Sequence, residues 1–257
     1  MSNPFDLSDR VIAITGASSG FGHHFAGVLA ANGATVLLGA RRVEKLEDRV
    51  AEITKDGGKA QARALDVTQT DSIHKFIDAA FEEHGRLDAI INNAGVEAGA
   101  KTYTMIDETD WDYVLNTNLK SAWVVSKYYT EQVLAHKQPL GNIVMISSIT
   151  DTRTIKGQFP YAVSKGALTR MTEVMALEAA RYNIRVNALA PGYILTDVSR
   201  ILLESDQSDD FMKGIPMRRY GEFDDLDGPI LLLTSDASKY MTGATITVDG
   251  GHVCSSL

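Results

Sequence analysis

Short apolar runs alternate with amphipathic helical stretches from one end of the chain to the other, and few folds accept that pattern. Val11-Ile12-Ala13-Ile14, Thr35-Val36-Leu37-Leu38, Ala60 to Leu65, Leu87 to Ile91, Ile143-Val144-Met145-Ile146, Arg185 to Leu189 and Thr245-Ile246-Thr247-Val248 read as strands. Most are apolar throughout, as strands buried on both faces must be. Between them, residues such as Phe25, Val28 and Leu29, then Val43, Leu46, Val50 and Ile53, then Ile73, Phe76, Ile77, Ala80 and Phe81 recur at helical spacing. Asn32-Gly33 and Gly57-Gly58 stop the first two of these helices. A long helical stretch containing Trp123, Val124, Tyr128, Tyr129 and Val133 precedes the fifth strand, and another runs from Phe159 to Tyr182. Ile230 to Leu233 suit a short helix whose start Pro229 shifts. Such βαβ alternation predicts an α/β fold: a Rossmann-like, doubly wound parallel sheet covered by helices on both faces.

The 257 residues suit one such domain, with neither repeats nor linkers to divide it. Carboxylates outnumber Lys and Arg 33 to 25 without a basic cluster, which argues against nucleic acid or an anionic membrane as partner. Cys254 is the only cysteine, so no internal disulfide is available and a reducing, cytoplasmic setting is expected. No apolar stretch approaches membrane-spanning length.

In a doubly wound sheet, ligands bind outside the carboxyl ends of the strands. Residues 15–22, 39–42, 66–67, 92–95, 147–148 and 191–196 all follow strands and are expected to line one crevice. Gly16 to Gly22 form a glycine-rich strand-to-helix turn, which lets backbone approach a pyrophosphate and offers it the unpaired amides of a helix N-terminus. Plain strand-helix connections are also glycine-rich, but the position after the first strand favours dinucleotide binding. Tyr161 and Lys165 stand four residues apart, on one face of a helix, with Ser148 thirteen residues ahead of Tyr161. Tyrosine, with a pKa of about 10, is a poor acid-base catalyst at neutral pH unless a nearby cation favours its phenolate. The three residues together supply a proton donor, a cation to tune it and a hydroxyl to hold a carbonyl.

Seven stretches resemble the short-chain dehydrogenase/reductase family, in its order and spacing and over essentially the whole chain. They are Thr15-Gly16-Ala17-Ser18-Ser19-Gly20-Phe21-Gly22, Asn92-Asn93-Ala94-Gly95, Asn118-Leu119-Lys120-Ser121, Ser147-Ser148, Tyr161-Ala162-Val163-Ser164-Lys165, Pro191-Gly192 and Val248-Asp249-Gly250-Gly251. Phe21 departs from the family's usual Ile or Leu, and no glycine soon follows Ser148, so the substrate wall there is expected to be individual. The resemblance implies that Tyr161 donates a proton to a carbonyl oxygen during reduction, and that Ser148, rather than its rival Ser147, hydrogen-bonds that oxygen. It further implies that Lys165 lowers the Tyr161 pKa and holds the nicotinamide ribose, while Asn118 anchors a water in a proton relay. Cofactor contacts are expected from Gly16, Ser18, Ser19, Gly20, Phe21, Gly22, Arg41, Arg42, Asp66, Val67, Asn93, Ala94, Gly95, Tyr161, Lys165, Pro191, Gly192, Ile194 and Thr196.

The expected cofactor is NADP rather than NAD. An acidic residue ending the second strand bonds the ribose hydroxyls of NAD, whereas arginine accommodates the 2′-phosphate. Here the strand runs into Ala40-Arg41-Arg42, although Ser19 replaces a second basic residue that many NADP-preferring members carry in the glycine-rich turn. The alternative is that both arginines only solvate the next helix. No metal is expected: His23 and His24 are adjacent and diverge, and His252 with Cys254 falls short of a zinc ligand set. The function read from the chain is reversible interconversion of a small-molecule ketone or aldehyde and its alcohol. The alternatives are reduction of a 3-oxoacyl thioester on an acyl carrier protein and a dinucleotide sensor without turnover; a methyltransferase of similar architecture would not need Ser148, Tyr161 and Lys165. Substrate specificity is expected from residues 96–101, 149–159, Tyr193 and a polar substrate lid at about 197–216, none of which carries a readable code. A homotetramer or homodimer is expected through the helices bearing Trp123 and Thr172, with Tyr128, Tyr129, Met171 and Met175 either as apolar surface for it or facing the sheet instead.

Overall fold

In the computed structural model, which describes residues 3–195 and 212–255, the apolar runs become seven strands. They are β1 (Val11–Thr15), β2 (Thr35–Ala40), β3 (Lys59–Ala64), β4 (Ala89–Asn92), β5 (Gly141–Ile146), β6 (Ile184–Pro191) and β7 (Thr245–Val248). The described helices are α1 (Gly20–Ala31), α2 (Val43–Lys55), α3 (Thr70–His84), α4 (Glu108–Leu115), α5 (Ser121–Ala135), α6 (Phe159–Ala179) and α7 (Asp227–Thr234). Every strand pair is parallel, in the order β3-β2-β1-β4-β5-β6-β7. The order reverses between β1 and β4, and there the loops after neighbouring strands diverge to opposite faces and leave a crevice.

The two-residue period of a strand divides the core in two. Ile12, Ile14, Val36, Leu38, Val144 and Ile146 face one layer, with Phe25 and Leu29 of α1, Leu46 and Ile53 of α2, and Ile230 and Leu233 of α7. Ala13, Leu37, Ile90, Ile143 and Met145 face the other, with Ile73, Phe76 and Ile77 of α3, Val125 and Val133 of α5, and Leu168 of α6.

Tyr129 belongs to this second layer and so takes the sheet-facing of its two expected places, with Tyr128, Met171 and Met175 partly buried against the same layer. It is fully buried, its hydroxyl lies 3.1 Å from the carbonyls of Leu87 and Asp88, and it accepts from Asn142 N at 3.0 Å. The same bonds occupy the residues just before β4, which begins at Ala89 rather than Leu87. Pro229 does not displace α7: it lies in the first turn, where its missing N–H forfeits no helix bond. The helical stretch expected before β5 is α5, and a π turn at Asn116–Lys120 joins it to α4. Residues 196–211, which include Thr196 and most of the expected lid, lie outside the described residues. No helix among those described is long and apolar enough to cross a membrane.

Candidate active site

The crevice begins where β1 runs into Gly16. Gly16 has φ +69, and a Cβ there would stand 2.8 Å from Ala94 Cα, so only glycine lets the two loops touch. Thr15 Oγ1 accepts from the amides of Asn93 and Ala94, both at 3.0 Å, and Asn93 Nδ2 donates to Thr15 O and Gly16 O at 2.9 and 3.2 Å. The Asn93 side chain is therefore a clamp between the loops after β1 and β4, with only its backbone left to face a ligand. Thr15, which the sequence did not single out, is the other half of that clamp.

At the N-terminus of α1, Ser19 makes no side-chain cap and the first turn carries no acidic residue. The amides at this positive end remain available to an anion. The hydroxyls of Ser18 and Ser19 instead each accept from Arg42 Nη2 at 2.9 Å, which carries a guanidinium onto the glycine-rich turn. Arg41 is exposed beside it. Across the gap, Asp66 Oδ1 accepts from Thr68 Oγ1 and N. These bonds, with the Arg41 charge, hold the Asp66 carboxyl below its ordinary value against a smaller effect of burial. Residues 18–21, Arg41, Arg42, Asp66, Val67 and Asn93 to Gly95 join Gly16 around a cleft of about 480 Å³. Gly22 lies beneath it, where a Cβ would stand 2.5 Å from Asn93 Nδ2. Uncapped helix amides, two arginines and a glycine backbone floor fit the phosphates of a dinucleotide.

A second cavity of about 220 Å³ adjoins the first and shares the Phe21 wall. Ser148, Tyr161, Pro191, Gly192 and Ile194 line it, together with Glu97 and Tyr193. Burial pushes the Tyr161 hydroxyl up to about 12; the Glu97 charge acts in the same sense and a hydrogen bond with Ser148 opposes both. Lys165 is not among the groups that act on this pKa, so the expected lowering does not appear. The geometry explains why: Lys165 Nζ lies over the Tyr161 ring, 5.5 Å from its centroid, and donates to Ile146 O at 2.7 Å. Burial in turn brings Lys165 down to about 8, against the charges of Glu97 and Asp151.

Lys165 and Asn118 are both buried behind the cavities rather than on their walls. The π turn aims Asn118 inward, where its Oδ1 accepts from Val96 N at 2.8 Å and its Nδ2 donates to Val96 O and Ser164 Oγ. π turns of this kind recur at functional sites. Gly95 closes the group: a Cβ there would lie 3.6 Å from Asn118 Oδ1 and 3.7 Å from Lys165 Nζ. Ser147 is buried at the edge of the same cavity, with its hydroxyl 3.0 Å from Thr169 Oγ1. Ser148 Oγ accepts from Thr150 N and faces the cavity. His252 is buried and Cys254 exposed, and no three His, Cys, Asp or Glu side chains among the described residues form a metal-holding group. Glu97 lies in the stretch 96–101 from which specificity is expected, but nothing in the sequence singles it out among those residues.

A parallel seven-stranded sheet with these two adjoining cavities defines a dinucleotide-binding oxidoreductase architecture, and comparison with known proteins gives the family. The family described as Enoyl-(Acyl carrier protein) reductase matches residues 16–252. The 3-oxoacyl-(acyl-carrier-protein) reductase FabG of Thermotoga maritima is 38% identical over 96% of this chain and 99% of its own. Gluconate 5-dehydrogenase of Gluconobacter oxydans is 33% identical over 98% of each. Among solved structures, a gluconate 5-dehydrogenase from Burkholderia cenocepacia in complex with NADP and tartrate superposes with a TM-score of 0.93, at 31% identity and 98% coverage of both chains. The chain belongs to the short-chain dehydrogenase/reductase family and is an NAD(P)-dependent oxidoreductase.

Proposed function

We propose that the protein interconverts a ketone or aldehyde and the corresponding alcohol with NADP(H), using Tyr161 as its acid and base. The carrying observation is that Ser148 and Tyr161 face one small cavity whose Phe21 wall is also a wall of the dinucleotide cleft. A reduced nicotinamide bound in that cleft supplies the hydride. Tyr161 gives its proton to the carbonyl oxygen, and Ser148 holds the same oxygen as negative charge develops. Lys165, beneath the Tyr161 ring, favours the phenolate that this transfer leaves and holds the ribose. Asn118, fixed by Val96 and Ser164, supports the relay that returns the proton. Tyr161→Phe removes one hydroxyl from an otherwise unchanged wall, so folding and cofactor binding survive while turnover falls by about 10²-fold or more. Near-native carbonyl reduction by that variant would sink the assignment.

The preference for NADP(H) rests on Arg41 at the rim and on Arg42, whose reach to Ser18 and Ser19 supplies the charge that the turn lacks in its own sequence. The Burkholderia relative with NADP bound agrees with it. The name of the Thermotoga relative supports a second reading, reduction of a 3-oxoacyl thioester, which the same residues would perform. Assays with 3-oxoacyl thioesters beside simple ketones separate the two. We further infer a cytoplasmic protein that assembles as a dimer or tetramer; exposed Trp123, Val174 and Leu177 on α5 and α6 support the assembly.

A further inference from the structure

We propose that Glu97 is a specificity-determining residue that selects substrates bearing a hydrogen-bond donor, hydroxyl or ammonium, near the reacting carbon and rejects those with a carboxylate there. The inference rests on the oxidoreductase reading and names the substrate class of that site. Its observation is the charge of the cavity. Of the described residues lining it, Glu97 alone carries a charge, and the others are apolar or neutral polar groups such as Ile149, Ile155, Gln158 and Tyr193. Three cations of the flanking elements have partners of their own, and Lys156, between Ile155 and Gly157, is exposed. Lys165 donates to Ile146 O beneath Tyr161, Arg153 donates to His252 O and Ser255 Oγ, and Arg219 pairs with Asp225.

Glu97 follows the loop that Asn118 pins at Val96, so its backbone is held in place. The residue is open to solvent at the cavity, while surrounding protein is dense enough for burial to raise its carboxyl pKa, with the Lys165 charge opposing. A carboxylate in such a position gains from an incoming donor and is driven further from ionisation by a second anion. A substrate hydroxyl or ammonium completes the acceptor. A substrate carboxylate meets the like charge of Glu97 at the cavity wall. Glu97 does not touch the reacting bond in this scheme; it orients and selects the substituent beside it.

The test uses the NADPH-loaded protein and four methyl ketones of equal chain length, ending in hydroxyl, ammonium, carboxylate or methyl. Because the charge of Glu97 also bears on Tyr161, the readout is the ratio of kcat/KM between substrates within one variant, from which effects on the acid cancel. Wild type should favour the hydroxyl and ammonium ketones over the carboxylate ketone by about 10-fold or more. Glu97→Gln should bring the ammonium-to-carboxylate ratio close to one, mainly through KM, and Glu97→Asp should keep its sign. An unchanged ratio in Glu97→Gln, or a wild type that prefers the carboxylate, overturns the proposal. If no ketone, the methyl one included, is reduced with NADPH or NADH, the oxidoreductase reading has failed instead. Calorimetric binding of the same four compounds then decides on Glu97: discrimination by wild type that Glu97→Gln loses supports it, and equal binding of all four overturns it.

Discussion

Lys165 and Tyr161 answer to burial in opposite directions, and the pH dependence of stability separates them. Folding lowers Lys165 from 10.5 to about 8. Between those values the unfolded chain holds a proton that the folded protein has released, so stability rises with pH across the window, and the cost of the buried ammonium is fully present below it. Folding raises Tyr161 from 10.0 to about 12, so between those values the folded protein keeps a proton the unfolded chain has lost and stability falls. Lys165→Met removes the first effect. Its stability relative to wild type, from urea titrations between about pH 8 and 9.5, should decline as pH rises, by at most about 1.4 kcal/mol per pH unit. A difference that stays flat would show that Lys165 is not held in a proton-releasing site. Arg42 sets the other residue-scale expectation. Arg42→Ala removes the guanidinium from the glycine-rich turn, and Arg41→Ala removes the one at its rim. Either should weaken NADPH much more than NADH, by about 1.5–3 kcal/mol for a lost charged hydrogen bond, read by fluorescence titration. Equal losses for both cofactors would return the two arginines to the role of solvating α2.

At the scale of elements, the Tyr129 phenol fastens α5 to the sheet, beside the bond from Asn92 Nδ2 of β4 to Ser126 Oγ. The Tyr129 hydroxyl meets the carbonyls of Leu87 and Asp88 and the amide of Asn142, at the starts of β4 and β5. Tyr129→Phe conserves the ring's packing and removes this partner from the Asp88 carbonyl and the Asn142 amide, while Leu87 O keeps Gln138 Nε2 at 2.9 Å. The urea midpoint should fall by the equivalent of about 1–3 kcal/mol with an unchanged slope. A neutral outcome would mean that relaxation lets those groups find other partners. The π turn at Asn116–Lys120 shows why helix spacing alone misplaces a side chain. One residue beyond the regular count lies between α4 and α5, and it brings Asn118 round to Val96 and Ser164.

For the whole molecule, the proposed assembly is the expectation most exposed to test. Leu177 is 83% exposed on α6, with Val174 one turn earlier on the same helix and Trp123 exposed on α5. Light scattering at micromolar concentration should give the mass of a dimer or tetramer, and Leu177→Arg should lower it without loss of helical signal. A wild-type monomer would refute the assembly and leave these side chains as ordinary surface.

The sequence by itself determined the α/β class, the parallel sheet and the strand ends at which the site gathers. Those follow from periodicity, from glycine where backbone must approach backbone, and from motifs whose members lie close together in the chain. Ser148, Tyr161 and the glycine-rich turn were legible for the same reason. Only the tertiary structure decided what depends on contacts between distant segments. Arg42 reaches a turn more than twenty residues earlier. Asn93 proves to be a clamp on Thr15. Tyr129 is buried against the sheet rather than left at the surface. The environment of Lys165 and Tyr161 belongs to the same group, because desolvation depends on how much protein surrounds a group in space, and spacing along a helix does not record that. The charge of the substrate cavity is the last member: Glu97 is one residue of a stretch expected only in general to bear on specificity until the fold sets it alone among neutral walls.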